Sequence, residues 1–154
     1  MKRSIAFITA SLMIFFFTGC NSANQANTTT DNSSAKKDTG KQDKGMGKFT
    51  NVPLTHPLDT SMITRGLPIY DSRCISCHKL TDEKLVGPGW KGVTDRRTPE
   101  WIMNFITNTN VMLDSDLVAQ QLMVTCVARM PNQNLSDDQA RAILEFMRKN
   151  DGKK

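Results

Sequence analysis

The chain has 154 residues, of which 38% are hydrophobic and 6% are aromatic, and its formal net charge at pH 7 is +5. This length allows one hydrophobic core but not two, and a small domain with so few aromatic residues would gain stability from an enclosed cofactor. The positive charge is too dilute for nucleic-acid binding and no basic patch with interleaved aromatic residues appears, so we expect no nucleic-acid partner.

The first 20 residues have the organisation of an export signal. Lys2 and Arg3 are followed by an apolar run at residues 5–17 and by the small residues Thr18 and Gly19. The run is shorter than the roughly 20 apolar residues that cross a bilayer. The pattern resembles a bacterial lipoprotein signal, with residues 1–19 removed and Cys20 acylated. An ordinary cleaved signal and an uncleaved anchor are the alternatives, and all three place the remaining chain outside the cytoplasm.

Residues 21–48 are polar and rich in Asn, Thr, Ser and Lys. Ordering such a segment would cost conformational entropy without compensating burial, so we expect residues 20–48 to form an acylated N-terminus and a disordered tether. A flexible coil of this length spans about 30 Å, which would let a lipid-held domain swing between partners. The tether could equally serve only to clear the membrane surface. We expect the folded domain to occupy residues 49–154.

The rest of the chain favours an all-α domain of about four helices, since no stretch alternates with period two. The first predicted helix spans residues 60–73, and Pro68 predicts a kink or a late start within it, because proline lacks the amide of a helical hydrogen bond. A second helix should begin after Thr98, with Pro99 in its first position. A third is expected at about residues 115–127. Ser136 should cap the last helix, which ends near Arg148 and Lys149.

The segment CISCH, residues 74–78, carries the chemistry. A redox dithiol at Cys74 and Cys77 would need a helix start after a strand, and that context is missing. A zinc site would need four ligands, and the remaining candidates, Cys126 and His56, lack paired spacing. Attachment of a c-type haem needs only two thiols for the vinyl groups and the adjacent imidazole of His78 for the iron. We therefore expect one covalent haem c, with His78 as the proximal axial ligand.

The second axial ligand should come from the downstream half of the domain. Met130 precedes Pro131 and a short polar loop, so its side chain can be held at a fixed loop position. We expect Met130 to be the distal ligand. Met112, Met123 and His56 are the alternatives, together with an open sixth position.

The order GLPIYDSRCISCH, LVGPGW and RMPNQNLSDDQARAILEFMRK resembles the monohaem class I cytochromes c over residues 58–150. The resemblance implies that a helix ending in CxxCH crosses the C-terminal helix at a contact between a glycine and aromatic residues. Gly66, Tyr70 and Phe146 occupy the matching positions. The segments WKGVTDRRTPEWIMNFITN and RMPNQNLS also resemble the cytochromes that accompany nitrous oxide reductase in some bacteria.

The same resemblance supports Met130 as distal ligand. It also implies that the carbonyl oxygen of Pro88 accepts a hydrogen bond from Nδ1 of His78, which would fix the plane of the imidazole.

A histidine and methionine ligand pair would fill both axial positions and raise the reduction potential. We therefore expect an electron carrier and no catalytic residues. The alternatives are a haem enzyme or gas sensor with a displaceable sixth ligand and, more remotely, a thiol-disulfide oxidoreductase.

Several further residues could serve the haem or its partners. Lys79, Lys84 and Lys91 could rim the haem edge and steer docking to an acidic redox partner, or they could be ordinary surface lysines. Cys126 has no disulfide partner and is expected to be a buried thiol, with a regulatory or intermolecular thiol as the alternative. Propionate hydrogen bonds could come from Trp90, Arg96, Arg97 and Trp101, although core packing would equally explain both tryptophans.

Overall fold

A computed structural model of the chain describes residues 44–154. The predicted signal sequence, the acylation site at Cys20 and most of the predicted tether lie outside this range. Between residues 44 and 154, no helix has the length and apolar character needed to cross a membrane.

The described part of the chain is built from helices and loops, as predicted. Four helices of nine or more residues match the predicted ones, and two shorter helices lie between them. An isolated backbone bridge joins His78 to Lys84, and residues 44–154 contain no strand. In chain order the helices are α1 (Thr60–Arg73), α2 (Val93–Arg96), α3 (Pro99–Thr107), α4 (Thr109–Ser115), α5 (Leu117–Thr125) and α6 (Asp137–Asn150).

Side-chain caps explain where the longer helices begin. The Thr98 hydroxyl accepts a hydrogen bond from the Trp101 amide at 3.2 Å and starts α3. Ser136 and Gln139 form a reciprocal capping box at the start of α6. An exposed cap of this kind typically contributes about 1 kcal/mol to helix stability.

Two features of the helices differ from the sequence prediction. Helix α1 runs through Pro68, so its start at Thr60 is not late. The Asp59 carboxylate accepts from the Met62 amide and fixes that start, and packing along α6 compensates for the hydrogen bond that Pro68 cannot make. The short helices α2 and α4 were not predicted, and α5 spans residues 117–125 rather than 115–127.

Helices α1 and α6 form the centre of the domain. They cross at Gly66, where an added Cβ would lie 2.5 Å from the carbonyl oxygen of Ala142 and 2.8 Å from Cβ of Phe146. Tyr70 lies beside this crossing, with its ring centroid 5.5 Å from that of Phe146. Only glycine allows so close a backbone approach, so the predicted contact between a glycine and aromatic residues is present.

The packed structure begins before the predicted boundary at Phe49. The Asn104 side chain donates to the carbonyl oxygens of Lys44 and Phe49 and accepts from the Phe49 amide, at 2.9–3.0 Å. The Met46 amide lies 3.0 Å from Sδ of Met112. Residues 44–48, assigned to the tether from their composition, therefore pack on α3 and α4.

Candidate haem site

The CISCH segment lies at the C-terminal end of α1. Cys74 is the C-cap residue of the helix, and a tight turn follows in which the amides of Cys77 and His78 both donate to the Cys74 carbonyl, at 3.0 and 2.9 Å. The Tyr70 hydroxyl donates to the His78 carbonyl at 2.8 Å. Helix α1 and this turn together bring the two thiols and the imidazole to the same wall of the domain.

The His78 ring is held by the loop that follows it. Nδ1 lies 2.8 Å from the carbonyl oxygen of Pro88, so the neutral ring donates a proton there and leaves Nε2 for a metal. Burial lowers the pKa of His78, and the Pro88 hydrogen bond opposes this shift only in part. Gly87 packs against the ring face, where an added Cβ would lie 2.4 Å from Cε1. The imidazole is thus neutral and restricted in orientation, as an iron ligand must be.

A cavity of about 420 Å³ adjoins these residues. Its volume is in the range of pockets that enclose cofactors. The wall contains Cys74, Cys77, His78 and Met130, so the four predicted attachment and ligand residues meet at one cavity. Aliphatic and aromatic residues from four further segments complete it: Val86, Val93, Ile102, Phe105, Ile106, Leu113, Leu122 and Met147. Two thiols, a neutral imidazole and a thioether in a largely apolar cavity fit a covalently attached haem.

The structure separates the alternative distal ligands. Met112 is fully buried with its sulfur against the Met46 amide, and it does not line the cavity. His56 is also absent from the wall, and its Nδ1 lies 3.2 Å from the carbonyl oxygen of Lys154. Met123 does line the cavity, from α5, as Met130 does from the loop before α6. Of the ligands considered from the sequence, Met130 and Met123 therefore have access to the site.

The two competing explanations of CxxC find no support in the geometry. Burial raises the pKa of the Cys74 thiol to about 11, and the positive charge of Arg73 only partly offsets this. The pair also follows the C-terminal end of a helix, where the dipole disfavours a thiolate, whereas an attacking thiol needs a lowered pKa. Within residues 44–154, no cluster of three His, Cys, Asp or Glu side chains could hold a metal ion such as zinc.

The residues considered as propionate partners all line the cavity. The Trp101 N–H, however, donates to the buried Asp116 carboxylate at 3.2 Å, so this donor already has an acceptor inside the protein. The Arg97 guanidinium lies 5.1 Å from the Trp101 ring centroid. Arg96 donates to the Lys91 carbonyl at 2.7 Å. Trp101 therefore contributes its ring to the wall and not its N–H, while Trp90, Arg96 and Arg97 keep their predicted place.

The charged groups nearest the cavity are arginines and not the predicted lysines. Lys79, Lys84 and Lys91 are not part of the cavity wall, and Lys79 pairs with Glu83. Arg73 and Arg129 line the cavity and were missed from the sequence. Their signal was adjacency, since each directly precedes a predicted haem-binding residue.

Cys126 also lies on the cavity wall, at the C-terminal end of α5. Its side chain is half-buried and makes no disulfide. It thus contributes a small, largely apolar surface to the cavity, in keeping with the expected packing role.

Three comparisons place these observations among known proteins. The family profile described as Cytochrome c matches residues 63–151. A solved structure of cytochrome c from Rhodothermus marinus is 36% identical, with a TM-score of 0.66, and the match covers 69% of this chain and 90% of that one. Among curated proteins, none matches this chain significantly.

Two engineered forms of the Rhodothermus marinus cytochrome c are similar as well. Both are 35% identical, and the matches cover 69% of this chain and 91% of theirs, with TM-scores of 0.65 and 0.63. The second was solved bound to a carbene intermediate.

The family match spans more than half of the chain and includes the CISCH turn, the cavity and the loop that carries Met130. The all-α fold and the predicted cofactor are therefore confirmed. The chain belongs to the cytochrome c family as a class I, electron-carrying member with covalently bound haem c.

Proposed function

We propose that this protein is a membrane-tethered carrier of single electrons outside the cytoplasm, with His78 and Met130 as the two axial ligands. The observation that carries the proposal is the convergence of Cys74, Cys77, His78 and Met130 on one cavity. The donor or acceptor would be a respiratory protein such as a terminal reductase.

The chain's own groups suit outer-sphere electron transfer. When bound, the haem supplies an iron that accepts and releases one electron. Cys74 and Cys77 would hold the macrocycle in either oxidation state, and the apolar wall limits contact with water and so favours the less charged, reduced form. With His78 and Met130 both bound, no coordination position remains for a substrate. This ligand set supports a carrier and argues against an enzyme.

The ligand assignment is tested with a matched pair of methionine variants. Met130→Ala should abolish the weak red absorption band of a methionine–iron(III) bond and open the site to exogenous ligands. Met123→Ala, which removes the other methionine on the cavity wall, should keep that band. Loss of the band in Met123→Ala and its retention in Met130→Ala would transfer the ligand role to α5.

The competing function is a haem enzyme or gas sensor with a displaceable sixth ligand. Its support is the similar engineered cytochrome that was solved with a carbene intermediate, a property of that protein. Carbon monoxide titration of the reduced wild-type protein distinguishes the two functions. A carrier should bind the gas weakly and slowly, while rapid, tight binding would favour the sensor or enzyme.

The proposed tether rests on the N-terminal sequence. Residues 1–19 would be removed, Cys20 would carry the lipid, and residues 21–43 would link it to the domain, giving a protein bound to a bacterial membrane and facing the periplasm or the cell exterior. Intact mass of the membrane fraction should show acyl chains, and Cys20→Ser should move the holoprotein to the soluble fraction. A wild-type protein released without acyl mass would favour an ordinary signal.

The proposed partner has an acidic docking face. Arg73, Arg96, Arg97 and Arg129 border the cavity and could form a positive surface around the haem edge. Such a surface steers an acidic partner, and its effect falls as salt screens the charges. Nitrous oxide reductase is the specific candidate. Its reduction by this cytochrome should slow as ionic strength rises, whereas no electron transfer at low salt would exclude it.

A further inference from the structure

Two arginines connect the Met130 loop to the rest of the domain. Arg129 directly precedes Met130, and its guanidinium lies 2.8 Å from the Asp114 carboxylate at the end of α4. Arg73, at the end of α1, donates to the carbonyl oxygen of Gln133 at 2.6 Å. The methionine is therefore flanked by one contact to α4 on its N-terminal side and one contact to α1 on its C-terminal side.

The loop has little regular structure of its own between α5 and α6. Gln133 donates to the Pro131 carbonyl at 3.0 Å, and the Asn134 amide donates to the Asn132 side chain at 2.8 Å. These bonds shape the loop, but they join loop residues to one another and do not connect the loop to a helix. Asn134 adopts a positive φ of 50°, a turn conformation that asparagine tolerates. Anchoring of Met130 thus needs contacts from outside the loop.

Both arginines also reach the haem cavity. Arg73 and Arg129 line it together with Met130 and Gln133, so their contacts lie beside the proposed ligand and not at a remote surface. Arg73 precedes Cys74 in the chain, which places one anchor of the distal loop on the segment that carries the haem thioethers. The attachment turn and the ligand loop are thereby joined by one hydrogen bond.

We propose that Arg73 and Arg129 are positioning residues that hold Met130 against dissociation from the haem iron. This proposal rests on Met130 being the distal ligand. A thioether competes with other ligands for the iron, and a loop held in its bound position loses less conformational freedom when the bond forms. Release of either anchor should therefore raise the fraction of protein in which the sixth position is open, without altering the ligand itself.

Imidazole binding to the oxidised holoprotein measures that fraction. Arg129→Ala removes an exposed ion pair, so imidazole should bind about 2- to 5-fold more tightly. Arg73→Ala removes a charge-assisted hydrogen bond to a carbonyl, and the expected gain is about 3- to 10-fold. Arg65→Ala, an exposed arginine on α1 that does not line the cavity, is the matched control and should bind imidazole as the wild type does.

A charge effect is separated from a positioning effect by the partner variant. Asp114→Asn keeps the positive charge of Arg129 but removes the ion pair, so it should tighten imidazole binding as Arg129→Ala does. High salt should reduce the difference between wild type and Arg129→Ala, because it screens an exposed pair. If Asp114→Asn weakens imidazole binding instead, Arg129 acts through charge and the proposal fails for this residue.

The outcome that overturns the proposal is equal imidazole affinity in wild type, Arg65→Ala and the double variant Arg73→Ala/Arg129→Ala, with the methionine–iron band intact in all. Arg73→Gln provides a second test if the alanine variant is poorly produced. Absence of the band in the wild type would instead reject Met130 as ligand, and the arginine proposal with it.

Discussion

The proximal histidine owes its orientation to backbone groups. The Pro88 carbonyl accepts from Nδ1, and the Gly87 backbone lies against the ring because it has no side chain. The Gly87 amide also donates to the Cys77 carbonyl at 3.0 Å, which ties this loop to the attachment turn. The imidazole plane is thus set by a short loop that has no chemical function of its own.

Gly87→Ala should therefore displace His78. The new methyl group would lie 2.4 Å from Cε1 of the ring, a distance that ordinary packing does not allow, and both neighbours belong to a restrained turn. We expect a lower yield of holoprotein and a shifted reduction potential, with a stability loss of about 1–3 kcal/mol. Protein-film voltammetry and thermal unfolding measure these two effects.

Gly152→Ala controls for the loss of a glycine. Gly152 has a positive φ of 74°, so alanine is strained there, but its added Cβ would meet no atom within 4 Å. This variant should lose some stability and keep the wild-type reduction potential. A wild-type potential in Gly87→Ala would show that the imidazole plane tolerates the methyl group.

At the scale of helices, the sequence predicted what local chemistry determines. Thr98 and Ser136 have suitable side chains for N-caps, and both begin the helices expected from them. The short helices α2 and α4 carry no side-chain cap and too few residues for a periodic pattern, so no local signal indicated them. The path through Pro68 depends on packing against α6, which is a tertiary effect.

The segment at residues 44–49 was missed for a related reason. Its composition, with two glycines and two lysines, is that of a linker. The structure makes it part of the domain through Asn104, whose side chain is only 1% exposed and forms three hydrogen bonds with this segment. Gly47 permits this approach, because its added Cβ would lie 2.3 Å from Oδ1 of Asn104. A single buried amide in a distant helix fixed the boundary.

Asn104→Ala should release this segment while leaving the haem site in place. Three backbone groups of Lys44 and Phe49 would lose their partner, at a cost of about 1–3 kcal/mol if they stay buried. Hydrogen exchange of the Phe49 amide should accelerate strongly. The haem spectrum should not change, since Asn104 is not on the cavity wall.

Asn110→Ala, at an exposed position of α4, provides the control and should leave exchange at Phe49 as in the wild type. Unaltered protection of the Phe49 amide in Asn104→Ala would mean that Asn104 is not what secures residues 44–49.

Across the whole molecule, a buried ionic network joins α6 to the segment that leads into α1. Glu145 is fully buried and accepts hydrogen bonds from Arg141, Arg148 and the Asp59 amide at 2.7–3.1 Å. Arg148 also donates to the Thr55 carbonyl at 3.1 Å. From the sequence these residues had the spacing of surface ion pairs on an exposed helical face. Their burial follows from the N-terminal segment lying over α6, which no local pattern could predict.

The haem site shows the same division between local and tertiary information. Cys74, Cys77 and His78 lie within one short segment of the chain, so their shared chemistry follows from the sequence alone. The participation of Arg73 and Arg129 in the cavity wall depends on how the loop before α6 folds back towards α1. Spacing along the chain does not contain that information.

The network makes stability depend on pH. Burial alone would raise the pKa of Glu145, but the hydrogen bonds from Arg141, Arg148 and the Asp59 amide outweigh it, and the net pKa is lowered. Because the native state holds the carboxylate charged, its contribution to stability is complete above the ordinary value near 4.5 and is lost as the pH falls through the native value. Glu145→Gln should remove this dependence.

The free energy of unfolding of wild type and Glu145→Gln, from denaturant titrations of the holoprotein between pH 7 and pH 3, tests this network. At pH 7 the variant should be less stable by about 3 kcal/mol, because Arg148 is left buried without its carboxylate. The difference should stay constant down to about pH 5 and narrow below it, since the wild type alone loses the charged pair. Glu83→Gln, which removes an exposed pair with Lys79, should differ little from wild type throughout. A gap between wild type and Glu145→Gln that is unchanged at pH 3 would show that the Glu145 pKa is not the source of acid sensitivity.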